Sequence, residues 1–432
     1  MSKAGTHNEK KDPQQKRKKK PRMSEAEKNF YHLGIAPKII EIINRLKFKT
    51  AYPIQYKTIP LALEHKDLIG IAQTGTGKTM SFVIPTVQHL VSHTKECALV
   101  LVPTRELALQ VNESALTIAK PFGVKTAVLI GGSPMGRQIK SLARKPGIII
   151  ATPGRLIDLL ERRRIKLNKI GIVILDEADR MLDMGFQPQI EKVLQATPQS
   201  RQTLLFSATM PPSIIKMTSA YMNYPVHVEI APQGSVAEGI SHELFIVRKE
   251  MKKEILNTLV DQYRGPVLVF CRTKIGTKKL ARALRSSGHR AAEIHSDRSL
   301  AQRREALEGF KRGRYRILAA TDVAARGLDV CGIEVVINFD VPEDSENYVH
   351  RIGRTGRAGR TGHAITLATP YQRKDVRNIE NIIQMTLPVS EHTEFKTESF
   401  RAKPDKSSSH RRPRKRRSSA PRRRPKKKGG RR

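Results

Sequence analysis

The sequence has no tryptophan, only three cysteines, and half as many acidic residues as basic ones: 40 Asp and Glu against 80 Lys and Arg. It also lacks any long apolar run; stretches such as Ile148–Ala151 and Ile172–Leu175 are strand-length. Each shortage excludes something. A bilayer span needs about 20 consecutive apolar residues, so no membrane partner is expected. The Lys-rich N-terminal stretch has no apolar h-region, which argues against a secretory leader. Cys97, Cys271 and Cys331 are far apart and form neither a CxxC pair nor a disulfide framework. They are expected to be small buried residues in a reducing, cytoplasmic compartment.

The shortage of acids leaves a formal net charge of +40 over 432 residues. Residues 1–28 carry ten Lys/Arg against four acids, and residues 401–432 carry seventeen against Asp405 alone. Removing both ends still leaves +18 on the middle of the chain. A polyanion is the natural partner of such a body. The C-terminal stretch has no apolar helix face to enter lipid, which favours nucleic acid over a membrane surface. It has no interleaved aromatics beyond Phe400, so a sequence-independent grip on phosphates is expected rather than base stacking.

What is present in quantity is short runs of Val, Ile and Leu without polar alternation, separated by helix-like segments. Strands buried on both faces read this way, and they belong to parallel sheets sandwiched by helices. The strands expected first are Leu68–Ala72, Ala98–Pro103, Ala127–Ile130, Gly147–Ala151, Ile172–Leu175 and Leu204–Ser207. A second series follows at Pro266–Cys271, Ala291–His295, Arg316–Ala320, Val335–Phe339 and His363–Leu367. Pro232, Gly234 and Ser235 mark a linker between them. The expected organisation is a basic extension (1–28), an α/β domain (29–228), a linker (229–240), a second α/β domain (241–387) and a basic low-complexity tail (388–432).

Three segments carry chemistry. AQTGTGKT, Ala72 to Thr79, follows an expected strand and precedes a helix-like run, the setting a phosphate-binding loop requires. Backbone N–H groups of Thr74, Gly75, Thr76 and Gly77 can curl around phosphate oxygens at the positive end of a helix. Lys78 can reach the β- and γ-phosphates, and the Thr79 hydroxyl can ligate Mg²⁺. ILDEAD, Ile174 to Asp179, ends an apolar strand in two acids. Asp176 can hold Mg²⁺ through water and Glu177 can polarise an attacking water. Alone, such a pair also fits a helix cap; the loop a hundred residues upstream favours catalysis. HRIGRTGR, His350 to Arg357, repeats arginine every third residue. Arg351, Arg354 and Arg357 can fork onto phosphate if the two domains face one another, though an isolated arginine run also fits a solvated basic face.

Together these segments resemble the DEAD-box RNA helicases, from about Phe30 to Leu387, and within them the bacterial RhlE-like group. The resemblance implies two tandem RecA-like domains and an RNA-stimulated ATPase that locally unwinds or remodels RNA. It implies a Q motif in which Phe30 stacks on adenine and Gln55 reads its edge, selecting ATP. PTRELA (Pro103, Thr104, Arg105 onward), Gly131-Gly132 and TPGR (Thr152, Pro153, Gly154, Arg155) are implied to contact RNA, as are Arg272, Thr321 and Arg326. Asp329 is implied at the ribose, Arg354 and Arg357 at the γ-phosphate. Asp179, Ser207, Thr209 and His350 are implied to couple hydrolysis to strand separation. Two departures stand out: Ala51-Tyr52 replaces Pro-Thr before Pro-Ile-Gln, and Leu300 replaces the Gln of Gln-x-x-Arg303. A monomer is expected, with ribosomal particles or RNA-decay proteins as further partners. A non-unwinding RNA clamp and a DNA translocase are the rival readings.

Overall fold

The computed structural model describes residues 29–73, 75–230, 239–325, 330, 332–356 and 361–401. The first sheet has seven strands: β1 (Leu68–Ile71), β2 (Cys97–Leu101), β3 (Thr126–Leu129), β4 (Ile148–Ala151), β5 (Ile170–Asp176), β6 (Gln202–Ser207) and β7 (Val226–Glu229). Their order is β3-β4-β2-β5-β6-β1-β7, and every pairing is parallel. The second sheet comprises β8 (Ile240–Ile246), β9 (Val267–Phe270), β10 (Ala291–Ile294), β11 (Ile317–Ala320), β12 (Val335–Asn338) and β13 (Gly362–Ala368). Its order is β10-β11-β9-β12-β13-β8, again all parallel.

Alternation along each strand splits its apolar residues between two cores. Leu68 faces one cluster and Ile69 the other; Val267 and Leu268 divide the second sheet's two faces in the same way. Each fully buried Val, Leu or Ile contributes about 1.5–3 kcal/mol, so burial on both faces is what the uninterrupted runs were selecting. Every strand expected from the sequence is present. The two that were not expected, β7 and β8, are edge strands with polar residues in alternation (VHVE and ISHELFI). They flank the linker, which therefore leaves one sheet at its edge and enters the next at its edge.

The chain does not leave the second domain at the expected boundary of residue 387. The Leu244 N–H donates to the Pro388 carbonyl (2.9 Å), the Ser390 N–H to Leu244 O (2.9 Å) and the Glu398 N–H to Ile246 O (2.7 Å). The segment thus covers the open edge of β8, where unpaired backbone groups would otherwise invite another chain. Phe395 closes it, 9% exposed, stacked on His392 at 4.2 Å and edge-on to Phe245 at 5.3 Å. Among the described residues no helix is long and apolar enough to cross a membrane.

Candidate functional site

In a parallel sheet the loops after the strands gather at one edge, and ligands bind there. The loop after β1 is the phosphate cradle. Gly75 (φ 86°) and Gly77 (φ 85°) hold left-handed conformations that other residues rarely adopt, and they turn the loop into the helix Lys78–Ser92. Thr76 Oγ1 donates to Gln73 O at 2.7 Å and Lys78 Nζ to Ala72 O at 2.8 Å, so the loop is braced by its own side chains. Thr74 lies outside the described residues. Burial depresses the Lys78 pKa; the nearby Asp176, Asp179 and Glu177 pull it back upward.

The Q segment bonds the same loop. Gln55 Nε2 donates to Gly77 O and the Tyr52 N–H donates to Gln55 Oε1, both at 2.9 Å. A side chain on Gly77 would begin 2.5 Å from Gln55 Nε2 and 2.8 Å from Tyr52 Cδ2. The Ala51-Tyr52 departure therefore sets an aromatic ring, 46% exposed, against the phosphate loop, while Ala51 is buried. Phe30 needs correction. It is 4% exposed and packed in the first domain's core, so its ring is not presented to a base. The exposed aromatics between Phe30 and Gln55 are Tyr31 (62%), Phe48 (42%) and Tyr52.

β5 delivers Asp176 to the sheet edge, and Glu177 follows with φ 54°, a left-handed turn that swings its carboxylate off the strand axis. Asp176 Oδ1 accepts from the Glu177 N–H at 3.0 Å. Burial pushes the Asp176 carboxyl up to about 7, against the opposing pull of Lys78. Asp179 is held below the usual carboxylate range. Burial alone would raise it, but His350, Lys78, Arg180 and the Thr209 N–H outweigh burial. Its Oδ2 accepts from the Ala208 and Thr209 N–H groups at 3.0 Å and from Thr209 Oγ1 at 3.2 Å; its own N–H donates to Ser207 Oγ at 3.3 Å.

Arg180 was not singled out from the sequence, and it is the hinge of the arrangement. Its side chain is 1% exposed; Nη1 donates to Glu177 Oε2 at 2.8 Å and Nη2 to His350 Nδ1 of the second domain at 3.0 Å. The i,i+3 spacing from Glu177 was the available clue. Arg354 is 3% exposed and lines the same interdomain cavity as Arg180, Asn347 and His350. Arg351 differs. It forks onto Asp322 (2.5 and 2.7 Å), donates to Asn338 Oδ1 and Asp340 O, and lies over the Phe270 ring. Its guanidinium is committed to its own domain, so it is no phosphate ligand. Arg357, Arg326 and Asp329 lie outside the described residues.

A second groove, enclosing about 400 Å³, spans both domains. Its walls include Pro103, Thr104, Arg105, Thr152, Gly154 and Arg155 from the first domain, and Arg303 and Val323 from the second. Thr104 Oγ1 caps the helix Arg105–Ala119 by accepting from the Leu107 N–H. Pro153 opens the next helix, Pro153–Glu161, and is buried. The Arg105 guanidinium lies against Gly131 and Gly132, where a Cβ on Gly131 would begin 3.2 Å from Nη2. Arg155 Nη1 donates to Ser133 O at 3.1 Å. Gln138, also missed from the sequence, is buried and bonds Ile130 N and O and Ser133 O, fixing that glycine loop. Arg272 stands at the end of β9, tied to Asp340 and Val341, and Thr321 precedes the short helix Asp322–Ala325.

Two contacts join the domains beside this groove among the described residues. Arg303 Nη2 pairs with Glu106 Oε2 at 2.7 Å, both side chains nearly buried. Leu300 packs against the first domain's apolar cluster.

The family model described as DEAD/DEAH box helicase matches residues 52–218, and the helicase conserved C-terminal domain matches 251–359. The DEAD-box ATP-dependent RNA helicase CshA of Bacillus subtilis is 46% identical over 353 residues, covering 81% of this chain and 72% of that one. CshA of Listeria monocytogenes is 45% identical, covering 81% and 68%. Among solved structures, Saccharomyces cerevisiae Dbp5 bound to RNA and ADP BeF3 superposes with a TM-score of 0.76 at 29% identity, covering 84% of this chain and 96% of that one. A DEAD box protein from Methanococcus jannaschii is 37% identical yet reaches only 0.51, covering 84% and 99%.

Proposed function

Because the chain belongs to the DEAD-box ATP-dependent RNA helicases, with two RecA-like domains and RNA-stimulated ATP hydrolysis that unwinds or remodels RNA, we propose that hydrolysis takes place at the Arg180 seam. Lys78 and the backbone of Gly75 to Gly77 bind the triphosphate, and Arg354 and Arg357 neutralise it from the second domain. Glu177 takes the proton of the attacking water. Arg180 holds the Glu177 carboxylate and ties its placement to His350, so the base is set only when the domains meet. That pair of bonds, 2.8 Å to Glu177 and 3.0 Å to His350, is the observation that carries the reading. Asp179 relays the same event to Ser207 and Thr209. Gln55 and Asp329 select the nucleoside.

Mg²⁺ fits the first domain's donors. Asp176 is a buried carboxyl beside Lys78, and Thr79 offers a hydroxyl; both are the hard oxygen ligands this ion takes. When bound, it would supply charge neutralisation at the β- and γ-oxygens.

RNA lies in the groove of Arg105, Arg155, Thr104 and Thr152, its backbone gripped without sequence preference and its 2′-hydroxyls available for selection. Thr321, Arg326 and Arg272 extend that grip onto the second domain. The relatives compared carry the CshA name, and the RhlE-like grouping expected from the sequence has no counterpart among them. We read the chain as a bacterial-type, cytoplasmic monomer acting on ribosomal particles or decaying transcripts. ATPase assays of Glu177→Gln with and without RNA test the reading: RNA binding with ATP persists while turnover collapses. Undiminished RNA-stimulated turnover would remove Glu177 as the base.

A further inference from the structure

On the groove side the domains meet through the helix Leu300–Lys311 of the second domain and the start of the helix Arg105–Ala119 of the first. The Arg303–Glu106 pair there is incompletely satisfied. Glu106 Oε1 and Arg303 Nε are both buried without a hydrogen-bond partner. A buried ion pair of that kind repays its desolvation poorly; it fixes register more than it adds strength. A glutamine three residues before Arg303 would share its helical face and could serve one of those atoms. This chain has Leu300 there. The leucine is partly buried and packs on the first domain's apolar cluster, which includes Leu107, next to Glu106 in sequence.

We propose that Leu300 is a positioning residue for RNA-dependent closure: it replaces a polar partner with an apolar interdomain contact that holds the groove shut around RNA. The inference rests on the two-domain reading above and adds to it a specific residue and a direction. Apolar burial is non-directional, whereas the ion pair demands a fixed geometry. Leu300 therefore supplies attraction and Arg303–Glu106 supplies alignment. Neither contact involves a residue assigned to the nucleotide, so the expected signature is in RNA affinity and not in the chemical step.

The test uses the full chain with one dye on each domain, single-stranded RNA and a non-hydrolysable ATP analogue. Wild type and Leu300→Met should close to the same extent. Leu300→Gln should need roughly fivefold more RNA, both for half-maximal closure and for half-maximal ATPase, the low end of typical coupling between sites. Its kcat at saturating RNA and its RNA-free ATPase should match wild type. A Leu300→Gln protein with wild-type RNA dependence would overturn the proposal, as would one whose kcat falls at unchanged KM for RNA. Failure of the wild type itself to close with both ligands would strike the two-domain reading first, and this proposal with it.

Discussion

The two seams between the domains differ in make-up: both contain buried charge, and the groove side adds an apolar contact. On the nucleotide side, Lys78, Asp176, Glu177, Asp179, Arg180 and Arg354 are all at most 7% exposed, an arrangement of buried charge. On the groove side the Arg303–Glu106 ion pair is joined by the apolar contact of Leu300. Buried charge is costly unless every member is placed, which makes the first seam an all-or-none switch; apolar contact is forgiving, which suits a clamp that must close on any sequence. Lys78 and the carboxylates come from the first domain, and the second adds His350 and Arg354.

The largest blow to this contrast should come from Arg354→Ala, with kcat falling about a thousandfold, in line with an arginine finger, while nucleotide binding in equilibrium titration stays near wild type. Glu177→Gln should lower kcat by roughly a hundredfold or more, yet leave a complex that holds RNA and ATP together, measured by gel retention. Asp176→Asn should separate stability from activity. Asp176 has its pKa raised from 3.8 to about 7, so the folded state is disfavoured progressively as pH rises through that interval. The asparagine variant should therefore melt higher than wild type at pH 8, by the equivalent of a few kcal/mol, with the gap shrinking toward pH 5, and should not turn over ATP. Arg303→Gln sharpens the other side of the comparison: KM for RNA should rise about tenfold with KM for ATP unchanged in RNA-free assays, and an altered ATP affinity would show that the seams are not separable. The smallest effect belongs to Tyr52→Thr. Losing the ring from the phosphate loop should weaken ATP binding by only about two- to fivefold, measured by fluorescent-nucleotide displacement.

Both sheets were legible because their central strands are buried on two faces and spell that out in Val, Ile and Leu. β7 and β8 were not, since edge strands alternate polar residues and mimic a linker. The phosphate loop and the acids after β5 could be read because their chemistry demands residue types at fixed spacing. Arg180 and Gln138 escaped for the converse reason: a residue that orients another is defined by where its neighbour sits, and no spacing rule encodes that. Phe30 was misplaced because an aromatic's meaning depends on whether its ring faces solvent, and only packing decides it. Leu300 was visible as a departure, but its contact with the other domain was not.

The strip of chain laid along β8 has a mechanical consequence. The Arg401 N–H is pinned to the Pro370 carbonyl at 2.8 Å, and Glu398 pairs with both Arg248 and Arg401. The arginine-rich residues that follow thus set out from a fixed mooring on the second domain. A cluster of positive charge that starts from a fixed point on a domain raises the local concentration of a polyanion beside that domain rather than throughout solution.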